Sequence, residues 1–307
     1  MTSLPLAALR LYSRMYQQNL NPLKILLTLV LTLTVTFVAA PTKAQDFSYL
    51  PESEVNYLQV DDQQYPALLR SWQGKKKLGL AIIVPQLGSS PDEAGFTAYI
   101  RRELNRAGWA TLAITPPTKP TMPNYATQAE DVANAGDNQL SQQSTQAMPV
   151  FSDEQLTLNI EQQQSFLISS MAQLDNLGKE FQGKRILISS GDSAAIIAEL
   201  LKDNQLPMPD MLTVINPYSD YPSHNQALPK HLAELNIPIL DIQSRDGTAA
   251  SLATQQMRLE LLPQNQPYKY HQYRMSLDLL HKEGWSNGIK LIEGFALRIN
   301  KAYPNNG

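Results

Sequence analysis

The stretch Ile186-Leu187-Ile188-Ser189-Ser190-Gly191-Asp192-Ser193-Ala194-Ala195-Ile196-Ile197 constrains this chain more than any other. An apolar run of strand length meets a few small residues and resumes at once as an apolar run suited to a helix. A strand that turns into a helix without a loop tolerates only small side chains two positions either side of its tightest residue. With Gly191 and Ala195 as those flanks, the tight position is Ser193, and its hydroxyl stands clear above the sheet. The outline is that of a nucleophile elbow, with Ala195 where the pattern has glycine. The bland alternative is that Ser193 is only a small residue fitting a tight strand-to-helix crossing.

The segments around this turn set the architecture. Val55–Val60 alternates and ends at Asp61-Asp62, and Tyr65–Trp72 follows, so the pair reads as an antiparallel hairpin. Leu78–Val84 is an unbroken apolar run, as in strands buried on both faces. Ser90-Pro91-Asp92-Glu93 carries a helix-start signature, with Phe96, Ile100 and Leu104 on one face and Gly108 as the stop. Trp109–Ile114 is the next strand. Residues 115–151 are rich in Gln, Asn, Ala, Ser, Thr and Pro and predict a mobile insertion, either a lid or a solvated loop. Ser152 caps a long helix. Strands are then expected at 185–190, 211–216, 237–243 and 268–275, with helices after the turn, near Pro229–Leu235, from Ala249 to Leu261 and from Ile289 to Asn300. Strands alternating with helices imply an α/β fold: a mostly parallel sheet with an N-terminal antiparallel hairpin and helices on both faces.

The chain opens with Arg10, Arg14 and Lys24, then the uncharged run Ile25–Ala40, then Thr42 and Ala44 as small residues. This is the pattern of a secretory signal cut after Ala44, too short for a comfortable membrane span. Residues 45–307 then form a single domain, exported and most simply periplasmic, with no stable membrane span. An uncleaved anchor is the alternative, and Met15 is a second candidate start. Removing the leader takes four basic residues and no acid, so the remainder is more acidic than the whole chain's −3. That balance speaks against a nucleic-acid partner. Lys75-Lys76-Lys77 reads as a hairpin tip or a loop before a strand. The chain has no cysteine, so its stability rests on its core rather than on disulfides.

The candidate chemistry is an ordered triad. A serine hydroxyl is a poor nucleophile until an imidazole takes its proton, and a carboxylate must orient that imidazole. Ser193, Asp246 and His281 occur in the order Ser, acid, His, each after a predicted strand. The oxyanion donors would be the amide of Ala194 and an amide of Gln86 or Leu87 in the loop Pro85–Ser90. Asp241 and Asp220 are rival acids; His271 is a rival base, while His224 and His231 read as surface residues. No metal-ligand spacing and no phosphate-binding loop is visible, so no metal or cofactor is expected.

Two stretches carry a family resemblance: Arg102-Glu103-Leu104-Asn105-Arg106-Ala107-Gly108-Trp109-Ala110-Thr111-Leu112 and Ile237-Pro238-Ile239-Leu240-Asp241-Ile242. The closing Glu293-Gly294-Phe295-Ala296-Leu297-Arg298-Ile299 is also similar. Together they resemble an uncharacterised family of exported bacterial proteins, a domain of unknown function grouped with α/β-hydrolases. The resemblance implies an α/β-hydrolase-like fold and export, but no assigned reaction, and an elbow of small residues without an invariant serine. Two functions remain open: a periplasmic serine hydrolase acting on an acyl bond of a small or lipid-like substrate, or a non-catalytic envelope protein of the same fold that binds a ligand or partner.

Overall fold

The computed structural model describes residues 47–120, 151–261 and 269–304. The expected leader lies outside them, as do residues 121–150 of the expected insertion. Among the described residues no helix is long and apolar enough to cross a membrane.

Eight strands form one sheet in the order β1-β2-β4-β3-β5-β6-β7-β8. Strands β1 (Val55–Val60) and β2 (Gln63–Arg70) make the hairpin, and β2 pairs antiparallel with β4 (Trp109–Ile114). From β4 across β3 (Gly79–Val84), β5 (Lys184–Ser190), β6 (Met211–Ile215), β7 (Ile239–Gln243) and β8 (Tyr270–Arg274) every pairing is parallel. Every residue of β4, β6 and β7 is buried, which explains why their sequences do not alternate.

Helices cover both faces. On one side α1 (Phe96–Ala107) and α7 (Lys282–Ala302) bury Ile100, Leu104, Ile289, Ile292 and Phe295 against Ile83, Ile188 and Ile242. On the other, α2 (Asp153–Met171), the short α3 (Leu174–Gly178), α4 (Gly191–Lys202) and α5 (Pro222–Glu234) pack Leu167, Leu174, Ile197 and Leu228 against Leu80, Leu187 and Val214. Burying each such side chain contributes about 1.5–3 kcal/mol. Helix α6 (Ala249–Glu260) follows β7 and buries Arg258 in its last turn.

Three boundaries depart from expectation. Ser90 does not open a helix. Residues 90–94 form turns, Gly95 at φ 111° redirects the chain, and α1 begins at Phe96. The displaced acids have other work: Asp92 binds the buried Arg101 at 2.9 Å and Tyr49 at 2.8 Å. Helix α5 begins at Pro222, whose missing N–H is harmless at a helix start, and runs through Pro229. Helix α7 begins at Lys282 rather than Ile289. Its glycines weaken the helical signal, but a Cβ on Gly288 would lie 2.5 Å from Phe96 Cζ. Glycine stands there so that α7 and α1 can approach. Ser152 caps α2 as expected, its Oγ accepting from the Gln155 amide, and the Gln155 side chain accepts from the Ser152 amide to complete a capping box.

Candidate functional site at the strand-to-helix turn

Strand β5 ends at Ser190 and α4 begins at the next residue, Gly191, whose φ is +59°. A left-handed residue joining strand directly to helix is the sharp point of an elbow, the position whose side chain would project above the sheet. That residue is a glycine and projects nothing.

Ser193 is therefore two residues past the turn, in the first turn of α4. It is 0% exposed, and its Oγ meets no hydrogen-bond partner among the described residues. The small flanks of the true turn are Ser189 and Ser193, so Ser193 is the trailing small residue. The expectation of a projecting Ser193 hydroxyl is corrected accordingly. Six consecutive small or short residues, Ser189 to Ala194, precede Ala195, and the spacing rule fits them in either of two frames.

The predicted oxyanion donors fare similarly. Ala194 is the fourth residue of α4, three past the turn, so its amide belongs to the helix and not to the turn's point. The Leu87 amide donates to Asp192 Oδ1 at 2.8 Å. Gln86 lies against the turn: a Cβ on Gly191 would sit 3.0 Å from Gln86 Cβ and 3.4 Å from Tyr218 Cε1. A carboxylate thus occupies the donor that an oxyanion would need.

Asp192 organises this corner. It is 3% exposed; Oδ1 accepts from Leu87 N and from Ser193 N at 3.1 Å, and Oδ2 meets Lys119 Nζ at 3.3 Å. Burial pushes its carboxyl above the ordinary range, while the Leu87 amide and Lys119 pull it back. Lys119 also binds Asp220 at 2.6 Å, so that rival acid is an ion-pair partner. Residues 115–120 at the start of the expected insertion are accordingly held to the domain, with Pro117 accepting from Gly88 N.

Asp246 lies after β7 as expected. Its Oδ1 accepts from Ser244 Oγ at 2.5 Å and from the Leu279 amide at 2.9 Å. The residue that meets Asp246 from beyond β8 is thus Leu279 and not a histidine. His281 is the N-cap residue of α7, its side chain is 71% exposed, and its Nδ1 lies 2.6 Å from Asp278 Oδ1. That hydrogen bond raises the imidazole's pKa. No hydrogen bond joins Ser193, Asp246 and His281 to one another, so the expected triad is not assembled. The extra seven residues at the start of α7 hold His281 at a helix start rather than on a long loop.

The rivals are engaged elsewhere. Asp241 Oδ2 is buried between Arg258 Nε at 2.8 Å, Tyr270 Oη at 2.6 Å and Gln272 Nε2 at 2.9 Å. His271 on the edge strand β8 faces Arg298 at 3.4 Å. His224 Nδ1 is 3.4 Å from Glu199. Among the described residues no group of three or more His, Cys, Asp or Glu is placed to hold a metal ion.

Beside Gly191 lies a cavity of about 210 Å³ at the carboxyl ends of β3, β5, β6 and β7. Phe96, Ile100, Ile188, Ile215 and Leu279 supply apolar wall; Glu93, Asn216, Tyr218 and Asp246 supply polar groups. Burial pushes the Glu93 carboxyl up, Ser89 opposes this and the Asp192 charge adds to it. Tyr218 is pushed up to about 12, first by burial and then by Asp192, so it remains a neutral hydroxyl. Asp192 and Glu93 escaped the sequence reading. An acid in the first turn of an otherwise apolar helix is the available signal for the first; Glu93 sits in a stretch whose sequence pattern is that of a helix start.

The family model described as Protein of unknown function (DUF3530) matches residues 28–298. No curated protein matches. Among solved structures, Est1E from Butyrivibrio proteoclasticus is similar with a TM-score of 0.54 at 10% identity, over 81% of this chain and 99% of that one. The esterase domain of a Rhodothermus marinus protein gives 0.52 at 10%, over 80% and 97%. Dienelactone hydrolase from Anabaena variabilis gives 0.51 at 15%, over 80% and 96%. At these identities the likeness establishes the fold, that of the α/β-hydrolases, and nothing about activity.

Proposed function

The chain belongs to this family of unknown function, and we propose that it is a non-catalytic, exported α/β-hydrolase-like protein that binds a small molecule in the cavity beside the elbow. The observation that carries the reading is Gly191 at the turn. Serine-hydrolase chemistry needs an attacking oxygen there, an imidazole to take its proton and amides to hold the developing oxyanion. Gly191 has no side chain, Leu279 stands against Asp246, and the Leu87 amide is committed to Asp192. Loss of the nucleophile alone costs on the order of 10⁶ in turnover in a serine hydrolase, and loss of one oxyanion donor about 10²–10³. A buried carboxylate beside the turn further opposes a developing negative charge.

What remains is a cavity with an apolar wall and a few convergent polar groups, the ordinary make-up of a small-molecule site. The leader pattern of residues 1–44 supports export, and with it a ligand of the cell envelope. The test is chemical. The purified protein is treated with a fluorophosphonate probe and with p-nitrophenyl acetate. We expect no covalent adduct and no ester turnover that distinguishes wild type from Ser193→Ala. An adduct on wild-type Ser193, lost in Ser193→Ala, would restore the hydrolase reading.

A further inference from the structure

The cavity beside Gly191 is selective in charge. Among the described residues two carboxylates line it, Glu93 and Asp246, and no lysine, arginine or histidine does. The opposite preference would be expected at the start of a helix, where free amides attract anions. Here that position is already filled from within. The buried Asp192 carboxylate takes the amides of Ser193 and Leu87 and faces the nearest cation, Lys119, which is shared with Asp220. An incoming anion finds the Leu87 and Ser193 amides taken and Lys119 shared with Asp220, and meets the Glu93 and Asp246 carboxylates in the cavity wall. The apolar side of the cavity is substantial, with Phe96, Ile188, Ile215 and Leu279 within one wall. Phe96 is held in place by its ring packing on Gly288.

We infer that the ligand is a small protonated amine with an apolar body, its ammonium held by Glu93 and Asp246 and its body on the isoleucine and phenylalanine wall. This rests on the non-catalytic reading above, because an intact hydrolase would use the same space for an acyl substrate. Glu93 is half-buried, so its charge is screened less than that of a surface acid and discriminates more strongly between a cation and a neutral isostere. A compact amine of about ten heavy atoms suits a cavity of this size.

The probes are phenethylamine, phenethyl alcohol and 3-phenylpropionate, titrated by calorimetry at low ionic strength. The amine is expected to bind at least about tenfold tighter than the alcohol, and the acid not at all. Glu93→Gln and Asp246→Asn should each shrink the amine-to-alcohol ratio, and together bring it close to one. Melting temperatures of both variants report whether the fold is intact. Equal binding of amine and alcohol, tighter binding of the acid, or no saturation by any probe would overturn the inference. The esterase assay separates the two readings. Amine selectivity together with Ser193 labelling would sink only the non-catalytic proposal. Absence of both labelling and amine selectivity would sink only the ligand assignment.

Discussion

Removing the Asp192 carboxylate is the sharpest test of how this site is held. In Asp192→Ala the Leu87 amide loses an acceptor 2.8 Å away and the Ser193 amide loses one at 3.1 Å. A hydrogen bond to a charged group contributes about 1.5–3 kcal/mol. The Lys119 contact adds little, about 0–1 kcal/mol, because that ammonium is half exposed and screened. Against these stands the cost of burying the carboxylate, which dominates its raised pKa and which the alanine variant no longer bears. The balance is a loss of about 2 kcal/mol, or about 4–8 °C in melting temperature for a domain of this size. Asp192→Asn keeps an acceptor for Leu87 and sheds the ionic burial, so its loss is at most about 1 kcal/mol. The pH dependence has a fixed sign. A carboxyl whose folded pKa is raised is penalised while ionised, and that penalty lifts as pH falls through the folded value. Wild type should therefore gain on Asp192→Asn as pH is lowered from 7 toward 4.5. The assay is urea unfolding of the three proteins across that range. If the alanine variant matches wild type, or the asparagine variant is as weak as alanine, Asp192 does not hold this corner together.

Three further outcomes follow from the same geometry. Gly191→Ser places a Cβ 3.0 Å from Gln86 Cβ at φ +59°, and should cost about 1–3 kcal/mol while creating no fluorophosphonate reactivity, read by melting and labelling together. Arg258→Met leaves Asp241 buried without its cation and should cost about 3–5 kcal/mol in urea unfolding, whereas Arg258→Met combined with Asp241→Leu should recover much of that. His224 and Glu199 form a pH-sensitive pair: the hydrogen bond to Glu199 raises the imidazole's pKa, and the same bond lowers that of Glu199. The His224 contribution is full below its unfolded pKa of about 6.5 and fades as pH rises through the folded value, so His224→Gln should destabilise more at pH 5.5 than at pH 8 in thermal melts.

Much of the fold was legible because its signals are local. The unbroken apolar runs of β3, β4 and β7 announce strands covered on both faces, and Ser152 as a cap announces α2. The run through Ser190 announces a tight strand-to-helix turn. Local signals failed where a residue's reason lies across the molecule. Gly284 and Gly288 argue against a helix in sequence, yet they stand within α7 because Asp278 and Phe96 press against them. Ser90-Pro91-Asp92-Glu93 imitates a helix start, but Asp92 is drawn to Arg101 and Glu93 lines the cavity.

The sequence by itself determined the strand-turn-helix at 184–202, the mostly parallel sheet with its hairpin, and the order serine, acid, histidine along the chain. All of these depend on apolar periodicity and on steric limits acting over a few residues. Which residue stands at the turn's point, and whether hydroxyl, carboxylate and imidazole meet, was decided only by the tertiary structure. A two-residue shift of frame moves a side chain from open space into the helix's packed face without altering the apolar pattern. Hydrogen-bond partners such as Asp192 with Leu87, Asp246 with Leu279 and His281 with Asp278 are chosen by distances that close only when the sheet has formed.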